Sequence, residues 1–595
     1  MITSNKYILI LAFIFISLTS FSQGFLRVDG KTIKDGQGRE IILRGMGLGG
    51  WMLQEPYMLQ LHGAAINQSD FRAKLEKLTG KENVQRFYDA WLEGFTTKAD
   101  IDSMAKWGFN SVRLPMHYNL YTLPVWEEKD STQNTFIEKG FALTDSLLAW
   151  CKANRLYLIL DLHAAPGAQG NDIPISDRDT TKPNLWASVA NKNKTIALWT
   201  ELAKRYANEE WIGGYDLLNE TNFGFTDPKD INGCNEKDNA ELRKLLIDIT
   251  KAIRAVDKNH IIFIEGNCWA NNYNGIFPLW DNNLVVSFHK YWNYNNKESI
   301  ANFLKIRDEH NVPLWLGETG ENSNVWFTDA IRLMEEHKIG WAWWPLKKMG
   351  ANNPLQIKQP AGYRELVQHL RDGKGNFSAE KVNDILKELA KAARIENNIV
   401  RYDVIDAMFR QVQSDAAIPY ANNQLDKQLL LYAVNYDYGR MGIAYHDNDA
   451  GNYWVSTTKR TQWNKGGQYR NDGVDIGTCD DSLTNGYSVG WTENGEWLQY
   501  TLYVSNPGWY TVKVRAKNTS AQAGALALAV NNKKPETTVT LKGAANKWTT
   551  TPAGKIWLAK GENRLKLTVK KGGFDLNYLE LALDASAATK PASAK

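Results

Sequence analysis

Two acidic residues stand where a reaction on an acetal would need them. Glu220 closes an apolar run as the second half of an Asn219-Glu220 pair, and Glu318 closes another run much later in the chain. Arg113 lies inside an earlier run, with His117 just after it. His163 ends Asp161-Leu162-His163, His289 and Tyr291 frame His289-Lys290-Tyr291, and Trp344 ends Trp343-Trp344. Two carboxyls among Arg, His, Tyr, Asn and Trp suit cleavage of a glycosidic bond. One protonates the departing oxygen, while the other attacks the anomeric carbon or activates water. A single Glu after an apolar run is more often a helix cap or a solvated loop residue, which is the reading for Glu265 and Glu321.

These side chains can meet only if the runs carrying them are neighbouring strands. The runs are Ile41–Gly47, Ser111–Met116, Tyr157–His163, Ile212–Glu220, His260–Gly266, Leu284–Tyr291, Pro313–Glu318 and Gly340–Pro345. They are continuous rather than alternating in polarity, as suits parallel strands covered on both faces. Segments between them carry helical spacing, for example Phe141, Leu143, Leu147, Leu148 and Cys151. The pattern predicts an α/β fold, a (β/α)8 TIM barrel over residues 24–413, with the polar strand ends converging on one face. A doubly wound sheet is the alternative, but neither G-x-G-x-x-G after the first strand nor G-x-x-x-x-G-K-[ST] is present. An extra helix around Phe71–Leu78 and a long loop from Ala164 to about Ala187 would sit over that face. A late helix at Ala379–Arg394 would pack on the barrel.

Gly108-Phe109-Asn110-Ser111-Val112-Arg113-Leu114-Pro115, Leu218-Asn219-Glu220, His289-Lys290-Tyr291 and Gly317-Glu318 resemble glycoside hydrolase family 5, in the family's order, across residues 40–350. The resemblance implies retaining hydrolysis, with Glu220 as acid/base, Glu318 as nucleophile and no catalytic cofactor or metal. It implies that Arg113 and Tyr291 hydrogen-bond Glu318, and that Asn219 binds the 2-hydroxyl of the sugar being cleaved. His163 and His289 would line the same subsite, and Trp344 would stack on sugar, followed by a cis peptide to Pro345. Trp51, Trp269 and Trp292 follow strands one, five and six, where further subsites would lie; ordinary packing is the equal alternative. His117 is open between a structural role and substrate contact. Gly49-Gly50-Trp51-Met52-Leu53-Gln54-Glu55-Pro56 and Asp161–Gly167 resemble the branch that acts on β-1,3-glucans from chain ends. An aromatic-lined mouth suits internal cutting of β-1,4-glucan. The expected activity is that of a β-1,4-endoglucanase, ahead of an exo- or endo-β-1,3-glucanase and of mannan or xylan hydrolysis. A non-catalytic polysaccharide-binding protein is the alternative from another class, and intact Glu220 and Glu318 argue against it.

Composition fits this picture. With 43% hydrophobic residues and 70 basic against 66 acidic side chains, the chain is neither disordered nor a polybasic nucleic-acid binder. Its 23 Trp and 25 Tyr are the flat rings that stack on sugars, although large cores also use them. Lys6, the apolar run Tyr7–Leu18 and small residues up to Ser22 read as a signal peptide over 1–22. That predicts an exported, soluble monomer, extracellular, periplasmic or at the cell surface, without a membrane span. Cys234 and Cys268 either pair or remain free thiols.

Beyond a linker at 414–428, residues 429–584 show short alternating strands and predict an all-β, jelly-roll-like sandwich. The stretch Tyr487–Tyr500, the run Trp509-Tyr510-Thr511-Val512, Gly466–Asp475 and Gly573-Phe574-Asp575 resemble carbohydrate-binding module family 6. That resemblance implies a sugar ring held between Tyr469 and Trp548, with Asp575 where the family usually has Asn. Trp491 and Trp497 read as interior. Asp447 and Asp449 offer ligands for the structural calcium that family often carries, with a solvated turn as the alternative. Such a module would tether the enzyme to polymer. The tail at 585–595 reads as disordered.

Overall fold

The computed structural model describes residues 23–448, 463–533 and 537–586; residues 1–22, where a signal peptide was expected, Asp449 and the residues beyond 586 lie outside it. Eight parallel strands close into a barrel. They are β1 (Arg44–Gly47), β2 (Ser111–His117), β3 (Tyr157–Ala164), β4 (Ile212–Asp216), β5 (Ile262–Glu265), β6 (Leu284–Lys290), β7 (Leu314–Gly320) and β8 (Gly340–Trp344). Every residue of β2, β3, β6 and β7 is buried, which is why their sequences run apolar without alternation. A hairpin of Arg27–Asp29 and Thr32–Lys34 lies ahead of β1, and Leu26 and Ile33 pack with Ile159, Phe263, Val285 and Trp315. Strand register shifts between Met116 and His117, between Phe288 and His289, and between Trp341 and Trp343, all towards the strand ends that carry the site.

The insertion after β1 holds three helices where one extra was expected: α1 (Gln68–Thr79), α2 (Lys81–Phe95) and α3 (Lys98–Trp107). Asn67 caps α1 by accepting from Asp70 N–H, and Thr97 with Asp100 forms a capping box on α3. The outer ring continues with α4 (Glu138–Ala153), α5 (Val189–Tyr206), α6 (Ala240–Val256), α7 (Ala301–His310) and α8 (Asn324–Glu336). After β8 come α9 (Tyr363–Asp372), α10 (Ala379–Ala392) and α11 (Tyr402–Met408). Among the described residues no helix is long and apolar enough to cross a membrane.

Among the described residues the C-terminal module is two six-stranded, mostly antiparallel sheets packed around a second core. Gly508–Asn518 and Gly561–Lys571 alternate between buried and exposed positions, the period of two that gives each sheet one core face. Gln424–Leu425 pairs with Trp497–Val504 and Ile418 bridges Tyr438, so part of the span read as a linker is built into this module.

Candidate active site

One guanidinium organises the C-terminal mouth of the barrel. Arg113, fully buried on β2, donates to Glu318 Oε2 (2.7 Å), Asp216 Oδ2 (3.0 Å), Asn219 Oδ1 (2.8 Å) and Glu265 Oε1 (3.1 Å), with Asp161 Oδ2 at 3.3 Å. Four carboxylates from β3, β4, β5 and β7 thus share one positive charge. Burial, reinforced by Glu265, pushes Asp216 well above the usual carboxylate range. Glu265 is held below its ordinary value although burial opposes this, because His289 and Arg113 face it. Glu265 is therefore neither cap nor solvated. It is 1% exposed and accepts the Glu220 backbone N–H at 2.7 Å, which corrects the reading from sequence.

Glu318 is gripped at both oxygens, by Arg113 and by Tyr291 Oη at 2.9 Å, so its plane is fixed. Glu220 lies opposite, with φ +41° and its Oε1 2.6 Å from His289 Nδ1. The other ring nitrogen of His289 faces Glu265 Oε1 at 3.2 Å. Burial would lower His289, but Glu265, Glu318 and Glu220 raise it well above the usual imidazole range. Burial and the nearby Glu318 raise Glu220 even though the imidazolium works against them. Glu220, His289 and Glu318 present ligand atoms within 4.8 Å of one another. Three such donors could hold a divalent cation, yet the Arg113–Glu318 and His289–Glu220 contacts already engage them.

Asn219 sits between Arg113 and His163, its Nδ2 being 3.3 Å from His163 Nε2. His163 is turned by Asp161 at 2.8 Å and stacks on Trp344, centroids 5.0 Å apart and planes 8° apart. Trp344 donates to Tyr57 Oη at 3.0 Å, and the Trp344–Pro345 peptide is cis. A Cβ on Gly47 or Gly49 would come within 2.6 Å of the Trp344 ring, so the indole seats only over glycine.

The pocket above these groups has a volume of about 470 Å³, and its wall adds Glu55, Tyr57, Asp172, Trp269, Trp292 and Glu321. Glu321 is paired with Lys348 and lines the pocket, another departure from the solvated reading. Burial, then Glu318 and Glu321, push Glu55 well above its ordinary range. The Trp269 indole bonds Asp172, and Trp292 Nε1 donates to the Glu321 carbonyl at 2.9 Å. Cys234 and Cys268 form a disulfide, with Cα atoms 4.8 Å apart, joining the loops that follow β4 and β5. Trp51 is packing: it is 1% exposed and bonded to Leu92 O. His117 pairs with Asp177 at 3.1 Å and borders a separate cavity of about 750 Å³.

Asp161, Asp216, Glu55, Tyr57 and Asp172 were not singled out from sequence. Asp161 and Asp216 carried a signal, since a charge within a fully buried strand needs a partner.

In the module, Tyr469 lies against Tyr420 and Tyr487 and donates to Asn435 Oδ1 at 2.7 Å. Trp548 donates to Asp480 at 2.7 Å beneath Lys517, which in turn pairs with Asp575 at 3.2 Å. Asp575 lines a hollow of about 310 Å³ together with Trp491. Trp491 is not interior: it is 49% exposed, at φ +47°. Trp497 is only partly buried, with Lys566 Nζ 3.7 Å from its ring centroid. Asp447 is buried, while its expected companion Asp449 lies outside the described residues.

Residues 66–350 match the model of Cellulase (glycosyl hydrolase family 5), and residues 470–581 that of Carbohydrate binding module (family 35). The second match corrects the family 6 resemblance. Its motifs lie largely on strands whose Leu498, Tyr500, Leu502, Tyr510, Val512 and Val514 are buried, and such spacing marks a sandwich core rather than its ligand loops. Among curated relatives, a β-xylosidase of Phanerodontia chrysosporium is 28% identical over 381 residues, 58% of this chain and 75% of that one. Endoglucanase C of Acetivibrio thermocellus is 28% identical over 352 residues, 48% of this chain and 94% of that one. A probable glucan 1,3-beta-glucosidase A of Aspergillus niger is 28% identical over 182 residues, 30% of this chain and 41% of that one.

Proposed function

We propose that this chain, whose residues 66–350 match the glycosyl hydrolase family 5 model, is a retaining β-glucanase that cuts β-1,4-glucan internally. The observation that carries the reading is the approach of Glu220 and Glu318, whose nearest carboxylate oxygens lie within 4.8 Å. Retaining pairs stand roughly 5–5.5 Å apart, whereas inverting pairs need about 6.5–9.5 Å to admit water. Glu318, aimed by Arg113 and Tyr291, attacks the anomeric carbon as the bond to the leaving oxygen breaks. Glu220, its affinity for a proton raised by burial, protonates that oxygen. Water then releases the sugar from the Glu318 ester, giving its proton to Glu220 and its oxygen to the anomeric carbon. Asn219, held by Arg113, is placed for the 2-hydroxyl, and Trp344 for the sugar face.

Endoglucanase C, of which this chain covers 94%, supports internal cutting. Glu55 and Asp172 favour a second reading, cleavage of β-1,3-glucan from a chain end, because carboxyls facing into the pocket would bond a terminal sugar's hydroxyls. The Trp491–Asp575 hollow is the module's ligand site in this proposal, with polysaccharide as its partner, and export on the 1–22 leader brings the enzyme to polymer. Incubation with a panel of glucans, recording product sizes and the first-formed anomer by NMR, tests both readings. Mixed oligomers of retained β configuration from β-1,4-glucan are expected. A single small product from β-1,3-glucan selects the second reading. An inverted anomer refutes the mechanism, and binding without release would mark a non-catalytic polysaccharide-binding protein.

A further inference from the structure

The loop that follows β7 is held from its far side by the C-terminal module. Glu321, at φ +53°, faces the pocket and pairs with Lys348, and Asn322 and Asn324 lead from it into α8. Asn471 of the module donates through Nδ2 to Asn322 O (2.8 Å) and Asn324 Oδ1 (3.0 Å), and its own carbonyl accepts Asn324 N–H (3.0 Å). Asn324 Nδ2 donates to Asp472 Oδ1 and to Asp403 Oδ2, both at 3.0 Å, and Asn471 N–H reaches the same Asp403 oxygen at 2.7 Å. Arg470 pairs with Asp472 at 2.7 Å, and Arg401 of the barrel donates to the Tyr469 carbonyl and to Gln356.

This joint is dry. Asn322, Asn324, Asp403, Asn471 and Asp472 are 1%, 2%, 4%, 3% and 2% exposed. A sliding or swinging module would strand these amides and carboxylates without partners, so the contact behaves as a fixed seat rather than a chance touch. It lies one residue from Glu321 and a few residues from Glu318 along the same backbone.

We infer that the module is a working part of the catalytic site: through Asn471 it positions the Glu321–Asn324 loop, and with it the pocket wall beside Glu318. Hydrolysis of a substrate too small to reach the module's own hollow then depends on Asn471. The inference rests on Glu318 being the nucleophile. Asn471 is a positioning residue, and its loss is read in kcat rather than in KM.

The test uses the full chain and a soluble nitrophenyl β-glycoside of the disaccharide that the glucan panel selects. Asn471→Ala is expected to lower kcat, per folded molecule and well below its melting temperature, by about tenfold with little change in KM. Lys513→Ala, an exposed change on the module's sheet away from its hollow, is expected to leave both constants unchanged. If Asn471→Ala does not fold, Asn471→Ser, which retains a hydroxyl, is read in the same way. Hydrogen exchange at the backbone amides of Asn324–Trp326 should quicken in either variant. A kcat within about twofold of wild type in a folded variant, or a change confined to KM, overturns the inference. Glu318→Ala run alongside separates the two readings: if it still turns over substrate, the assignment of the nucleophile has failed, not the joint.

Discussion

At the scale of single residues, the site works by unequal treatment of like groups. Glu265 is faced by both Arg113 and His289 and is held low, whereas at Glu220 burial and Glu318's charge outweigh the one contact with His289. His289 is the counterweight, since its imidazolium holds Glu220 lower than burial alone would place it. In the proposed mechanism Glu220 acts protonated, so its titration would set the alkaline limb of the pH profile. Replacing His289 with Gln removes the opposing positive charge and raises Glu220 further. The alkaline limb of kcat/KM for His289→Gln should therefore move up by about one pH unit, alongside a loss of rate. An unmoved or lowered limb would show that another group sets it. Much of this was legible in the sequence, because Glu220, Glu318, Arg113, Asn219, Tyr291 and Trp344 end or occupy apolar runs in one order. Glu265 was misjudged because a residue closing a strand can point into the mouth or away from it, and register decides which.

Among elements, the strands were readable because double-sided burial leaves continuous apolar letters, while the loops were not, because tertiary contacts shape them. The β5 loop is the clearest case. Cys268, Trp269 and Ala270 all have φ between 52° and 61°, a conformation that side-chain-bearing residues rarely adopt in succession. Nothing in the letters Gly266-Asn267-Cys268-Trp269-Ala270 announces it. The Cys234 disulfide and the Trp269 N–H bond to Thr221 O at 3.1 Å, directly after Glu220, tie the segment to the β4 loop. The Trp269 ring then bonds Asp172 across the pocket. Replacing both cysteines by serine frees the loop while leaving the carboxylates untouched. KM should rise several-fold with kcat nearly constant, because ordering Trp269 must then be repeated at each binding event. With the cysteines 34 positions apart in sequence, loss of the cross-link should also destabilise the protein by about 3–4 kcal/mol, which chemical denaturation would measure. A fall in kcat at constant KM would instead place the loop in the bond-breaking step.

For the whole molecule, the proposed division of labour between barrel and sandwich turns on the direction of one exposed ring. The alternation of Gly508–Asn518 made the sandwich legible, but Trp491 looked interior because an aromatic in a strand-rich segment is most often core. Its backbone at φ +47° turns the indole outward, over Gly477 and beside Asp575, where an added Cβ on Gly477 would come within 3.3 Å of the ring. An aromatic face, a carboxylate and the hydroxyls of Thr478 and Ser488 around a hollow of about 310 Å³ suit a neutral sugar better than an ion. Because the module is seated on the barrel, a polymer held there stays at a set distance from Glu318, and the local chain concentration rises only for substrates long enough to occupy both places. Trp491→Ala should therefore weaken binding to insoluble glucan by about one to two orders of magnitude and slow its hydrolysis in proportion at low polymer loading. The loss should vanish as polymer loading saturates the catalytic pocket. Depletion assays and initial rates over a range of loadings measure both effects. A loss that persists at saturation would mean that the module acts on the chain itself, by separating it from its neighbours, and not by raising its local concentration.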